Sequence, residues 1–291
     1  MGTVWELDFY SRPVLDENGK KRWEVLICEG LADNQPAPEQ VFRFSKFLPS
    51  SEVNSISLKG AIDEAIDAAA DQGNVQPSRI RYFRYQMQNM ILRACEEANL
   101  PARPSRRTVA LQRWLSDRNQ TVYPAMEGYT NAPSPSVAAP PPNPQPLPDA
   151  LLGQQWAFVS LEAAAFADLP DWDIGFGESF PLDIAEVDAK TPIPGLLIFS
   201  PRATALAAWM SGLELAYWRI EDSKMPQIIL ETGASDSWIL ASLTKPALVA
   251  EAKAFDAAKA KANQVHFIGI QDKPESESFA GFWLLQQLNL G

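Results

Sequence analysis

From Thr3 to Leu15 apolar and polar residues alternate, with Val4, Glu6 and Asp8 interleaved with Trp5, Leu7 and Phe9. A period of two predicts a strand. Asp16-Glu17-Asn18-Gly19 carries the Asn-Gly signal of a tight hairpin, and Lys21–Cys28 returns as a second strand. Val41–Leu48 is the third. Ser57 is the expected N-cap of a helix. From there the period lengthens to that of a helix, and Leu58, Ala61, Ile62, Ala65 and Ile66 share one face up to Asp71. Arg79–Arg84 predicts a short strand, and Gln86–Ala98 a helix with Met87, Met90, Ile91, Ala94 and Cys95 on its apolar face. Pro101–Pro104 is an extended piece, and Thr108–Asp117 a last helix.

Between Pro124 and Pro148, nine of 25 residues are proline. Each removes an amide donor and fixes φ, so residues 124–148 predict an extended, semi-rigid linker. The domains are then residues 1–123 and 149–291. In the second, Trp156–Leu161, Leu182–Val187 and Gly195–Phe199 precede a helix at Ala203–Met210. Leu213–Glu221, Gln227–Thr232 and Trp238–Leu243 look like a three-strand meander. A helix at Val249–Ala262 and the strand Val265–Gln271 follow, and the final segment Phe279–Leu288 is expected to be helical.

Both halves therefore predict an α/β (α+β) class. In the N-terminal half, three strands precede alternating helices and strands, which is the order of ribonuclease H-like folds. The C-terminal half is expected to hold a related mixed sheet. A length of 291 residues with 46% hydrophobic positions suits two domains and excludes wholesale disorder. The longest apolar runs are far shorter than the ~20 residues of a membrane helix, so no membrane insertion is expected. Two cysteines, Cys28 and Cys95, form no disulfide framework. With a strand-like opening in place of a leader, they predict a cytoplasmic location.

Charge changes the picture. The chain carries a formal −11, yet residues 79–118 hold nine arginines against three acids and no lysine. The planar guanidinium fork suits phosphate and stacks on bases. Arg79, Arg81 and Arg84 interleave with Tyr82, Phe83 and Tyr85, pairing phosphate neutralisers with stacking faces. As a strand, Arg79, Arg81, Phe83 and Tyr85 would share one side. Arg103, Arg106 and Arg107 enter the helix at Thr108, whose open amides also favour an anion. The competing reading makes the aromatics core and pairs the arginines internally or with the acidic half, where residues 150–291 hold 18 acids and nine bases.

Catalytic signals are sparse. Asp8 lies on the first strand, where metal-dependent nucleases place a carboxylate, but the strand RIRYFR offers cations where a second acid is needed. Asp8 is therefore expected to be structural, paired with an arginine or facing solvent. His266, the single histidine, is expected to be a strand residue rather than a general base. No phosphate loop or dinucleotide fingerprint occurs, and Gly175-Phe176-Gly177 reads as an acidic loop. No enzyme, metal or cofactor is expected.

Four stretches, GTVWELDFYSRPVLDENGKKRWEVLIC, NSISLKGAI with RIRYFRYQMQNMI, IPGLLIFSPRATALAAWMSGLE and HFIGIQD with GFWLL, resemble the Tab/Atab RNA-binding proteins of cyanobacteria, algae and plants. The resemblance implies binding to the 5′ untranslated region of photosystem reaction-centre messages, with promotion of translation and photosystem I assembly. It implies an RNA partner, A/U-rich or 5′ untranslated, and photosystem or translation proteins as further partners. It also transfers the family's Trp-Leu-Leu tripeptide onto Trp283, Leu284 and Leu285 as RNA-binding residues, beside the alternative that the tripeptide supports the fold. A cyanobacterial-type member fits the strand-like opening. The alternative function is a protein-interaction factor in photosystem assembly that touches no RNA.

Overall fold

The structure, a computed structural model, describes residues 3–31, 41–74, 76–131, 143–153, 155–221 and 223–288. They form two compact units that divide between residues 131 and 143. The class is mixed α/β in both.

In the N-terminal unit β1 (Thr3–Leu15), β2 (Lys21–Glu29) and β3 (Arg43–Leu48) lead to α1 (Ser55–Asp71). Then come β4 (Pro77–Tyr82), α2 (Gln88–Glu97) after a 3-10 turn at Tyr85–Met87, β5 (Ala102–Pro104) and α3 (Val109–Asp117). The sheet order is β3-β2-β1-β4-β5. The first three strands pair antiparallel, and β1, β4 and β5 run parallel. One face packs Trp5, Leu7, Phe9, Val25, Ile27, Ile80 and Tyr82 against the apolar stripes of α1 and α2. The other face meets α3 through Leu26, Cys28, Phe83, Leu111 and Trp114. Asn54 caps α1 in place of the expected Ser57, its Oδ1 accepting the Ser57 amide at 2.9 Å. A serine inside the first turn donates its backbone N–H to the residue three before it, so the cap moves upstream.

The proline-rich stretch is tied down at both described ends. Thr130 donates its amide to Pro13 O at 2.8 Å. Gln145–Pro146 forms β6, and Leu147 is buried in the C-terminal core. Residues 132–142 lie outside the described residues, so the extended linker is described only at these ends.

The C-terminal unit continues with β7 (Gln155–Glu162), β8 (Ile174–Glu178), β9 (Pro192–Phe199), α4 (Ala203–Ser211), β10 (Leu215–Glu221), β11 (Gln227–Thr232) and β12 (Asp236–Ser242). It closes with α5 (Pro246–Lys261), β13 (Val265–Gln271) and β14 (Phe279–Gln286). A five-stranded sheet runs β7-β9-β13-β14-β8, and a four-stranded sheet runs β10-β11-β12-β6. This pairing does not repeat that of the N-terminal sheet, because the meander forms a sheet of its own. Two expectations change: Phe279–Gln286 is a buried strand rather than a helix, and Gly175–Gly177 lies in edge strand β8 rather than a loop. Leu182–Ala185 forms a 3-10 turn.

His266 and Lys259 join the two sheets at Trp218. Its amide donates to His266 Nε2 at 3.0 Å, and its carbonyl accepts from Lys259 Nζ at 2.8 Å. β10 is an edge strand, so these groups have no neighbouring strand to bond. The histidine is fully buried. Its Nδ1 donates to Gln264 O at 2.9 Å, which leaves Nε2 as the acceptor of a neutral ring.

Candidate nucleic-acid interface

The α3-facing side of the N-terminal sheet is charged. Period-two alternation puts Glu6 and Asp8 of β1 on this side, and register sets Glu6 beside Arg81 of β4, which in turn sits beside Arg103 of β5. Glu6 Oε2 accepts the Leu111 amide at 2.7 Å. The amino end of α3 thus already holds a carboxylate, and the anion site expected there is filled from within.

Asp8 is completely buried between two arginines. Arg84 grips it with Nε on Oδ1 and Nη2 on Oδ2 at 3.2 Å, and Arg12 Nη1 reaches Oδ2 at 2.9 Å. The network continues to Glu24 of β2, which accepts from Arg12 Nε at 2.9 Å, from Arg118 Nη2, and from the Tyr123 hydroxyl at 2.5 Å. Burial raises the Asp8 carboxyl, but Arg84 and Arg12 outweigh it and hold the group below its ordinary range. Burial likewise lowers Arg12, and Asp8, Tyr123 and Glu24 more than restore it. All four carboxylate oxygens of Asp8 and Glu24 are engaged by guanidinium or hydroxyl donors. Among the described residues no cluster of His, Cys, Asp and Glu could hold a metal ion.

The arginine block therefore divides. Arg84 and Arg118 belong to this internal network, and Arg81 and Arg107 are buried. Arg79 is partly buried on β4, Arg106 partly buried in the β5–α3 loop, and Arg103 exposed on edge strand β5. The aromatics divide too. Strand β4 ends at Tyr82, which points into the α1–α2 core, and Phe83 packs under α3. Both rings are buried, so neither is open at the surface of this structure. Tyr85 starts the helical turn and is 55% exposed. Trp283, Leu284 and Leu285 are buried in β14, between β13 and β8. The indole lies over Gly281, whose Cβ, if added, would be 2.6 Å from it. All three side chains of the tripeptide lie in the core.

Parallel strands offer their ligand crevice at the carboxyl ends. In this sheet Tyr85 follows β4 and Arg106 follows β5, and the Ser105 amide donates to Tyr82 O at 2.8 Å, binding the two exits together. Tyr85 is exposed just past β4, Arg103 is exposed on β5, and Arg106 is partly buried just past it.

The family models agree with an RNA-binding reading over most of the chain. The model described as RNA-binding protein Tab2/Atab2 N terminal matches residues 4–118, and that described as RNA-binding protein Tab2/Atab2, C-terminal domain, matches 134–286. The chain belongs to the Tab2/Atab2 RNA-binding protein family. It is similar to a protein TAB2 homolog, chloroplastic, of Arabidopsis thaliana, 40% identical over 98% of this chain and 74% of the relative. A protein of the same name from Zea mays is 37% identical over 98% of this chain and 71% of the relative. Both are named chloroplastic, which overturns the cytoplasmic expectation; a strand-like opening was too little to assign a compartment. No solved structure matches, so the ribonuclease H-like likeness rests on strand order alone. No helix among the described residues is long and apolar enough to cross a membrane.

Proposed function

We propose that this Tab2/Atab2 protein binds single-stranded RNA at the carboxyl edge of its N-terminal sheet, and that the RNA is the 5′ untranslated region of messages for photosystem reaction-centre subunits. It would thereby support their translation and photosystem I assembly, without catalysis. The observation that carries the reading is the exposure of Tyr85 at that edge, next to the strand exit that bears Arg106 and the edge strand that bears Arg103. The chloroplastic relatives support the setting.

Phosphate neutralisation by Arg103 and Arg106 gives a log–log salt slope of about −1.4 for a single strand, at about −0.7 per contact. Affinity for a single-stranded 5′ untranslated fragment should then fall roughly sevenfold between about 50 and about 200 mM salt. Arg106→Gln should flatten the slope by about 0.7. An affinity indifferent to salt defeats the reading. The acidic composition of residues 150–291 favours a second reading, an assembly factor that contacts proteins only. It predicts recovery of photosystem proteins that survives ribonuclease, with no RNA crosslinked in cells.

A further inference from the structure

The helix that follows Tyr85 has two unlike faces. Met87, Ile91, Ala94 and Cys95 are buried in the core. Tyr85, Asn89, Leu92 and Arg93 are exposed on the other side. Asn89, Leu92 and Arg93 stand three and four apart on α2 and share one face, and Tyr85 precedes them in the 3-10 turn at the head of the same run. It covers about 12 Å from the first to the last at 1.5 Å per residue.

Seven large apolar side chains are exposed among the described residues, and Tyr85 and Leu92 fall in this one run. Its charge suits a phosphate chain: from Tyr85 to Cys95 there is one cation, Arg93, and no acid. The first turn of α2 holds no acid, and no side chain caps its amino end, so the helix dipole adds to the attraction there. Arg93, 69% exposed, bonds Glu97 Oε1 at 3.1 Å. An exposed pair of this kind is worth only about 0.3–0.5 kcal/mol, so it gives way to a phosphate. Glu96 and Glu97 then close the stripe, because a phosphate beyond Arg93 would meet two carboxylates.

We infer that the exposed face of α2 is the track on which a single RNA strand lies. Tyr85 stacks on a base, the Asn89 carboxamide bonds a base edge, Leu92 fills the space between them, and Arg93 holds the phosphate that ends the contact. The inference rests on the RNA-binding reading above and extends it from the carboxyl edge down one helix.

The test uses the full chain and a single-stranded oligonucleotide carrying 4-thiouridine. Ultraviolet crosslinking followed by peptide mapping should label the peptide that contains Tyr85 and Asn89. By fluorescence anisotropy Tyr85→Ala should weaken binding about tenfold or more, the scale of one lost base stack. Arg93→Gln should lower the salt slope by about 0.7. Both positions are exposed, so the melting temperature should not move, and a circular-dichroism melt checks that. If the wild type binds RNA, both variants bind equally well and the crosslinks map elsewhere, the α2 track is wrong and RNA binding stands. If the wild type binds no RNA, the track and the functional reading fall together.

Discussion

Asp8→Ala removes the carboxylate on which two buried guanidinium groups converge. Three donor contacts disappear, two from Arg84 and one from Arg12, while both cations stay where water cannot reach them. Breaking a buried pair by deleting one partner costs about 3–5 kcal/mol, chiefly because the surviving charge is left uncompensated. Here two charges survive, and Glu24 can relieve only Arg12. The upper part of that range is therefore expected. For a unit of this size it corresponds to a fall in melting temperature of roughly 10–20 °C. Hydrogen exchange resolved by peptide separates the two units, which a single melting curve does not. Protection should fall in β1 and β4 and persist in β13. The second arm of the cycle is Asp8→Leu with Arg84→Met. Removing both partners avoids the stranded fork, so the double variant should be more stable than Asp8→Ala. A loss below about 1 kcal/mol for Asp8→Ala, or a double variant as unstable as the sum of its parts, would refute the buried-pair account. The pH dependence has a fixed sign. The folded carboxyl titrates below its unfolded value, so the stabilisation is complete above about pH 4 and is lost as pH falls toward the folded value.

Two further outcomes are expected. Burial, with Lys259 nearby, pushes His266 well below its ordinary value, and the Gln264 carbonyl only partly offsets this. The unfolded chain therefore takes up a proton first, and stability falls as pH drops below about 6.5, by up to about 1.4 kcal/mol per unit. His266→Gln should remove that component from urea unfolding curves between about pH 6.5 and 5; parallel wild-type and variant profiles would count against it. Trp283→Ala should cost about 3–5 kcal/mol as a core truncation, while RNA affinity of the folded fraction stays as in the wild type. An alanine variant that melts like the wild type yet loses RNA would show that the indole touches the ligand.

Where local pattern and final environment coincide, the fold was legible from residues alone. The alternation of β1 and the helical stripe of α1 each carry one buried face, so their period announces them. β14 carries no such period. FAGFWLLQ is buried on both faces through most of its length, and its continuous apolar run of seven residues reads as helix or strand alike. β8 was missed because glycine is depleted in strands. Its glycine has a packing reason, since a Cβ at Gly177 would sit 2.4 Å from Phe282 O. The arginine block shows the limit more sharply. Composition announced nine cations but not their partners, because Asp8 lies 76 residues from Arg84 and Glu24 lies 94 from Arg118. The pairing of β1 with β2 and β4, with the return of the chain after α3, brings these groups together. Tyr85 differed from Tyr82 by where β4 stops, a boundary that alternation leaves loose by a few residues.

The closure of β10 at Trp218 has a consequence for how this molecule meets others. A naked sheet margin can recruit an extended segment from another chain, and that route leads both to useful complexes and to aggregates. At Trp218 the amide and carbonyl that such a segment would need are already occupied by an imidazole and an amine from the same unit. A visitor cannot lengthen this sheet there without first evicting both. Association through the C-terminal unit must therefore use side-chain surfaces or another margin, and acid that protonates the imidazole would unlock the margin it now seals.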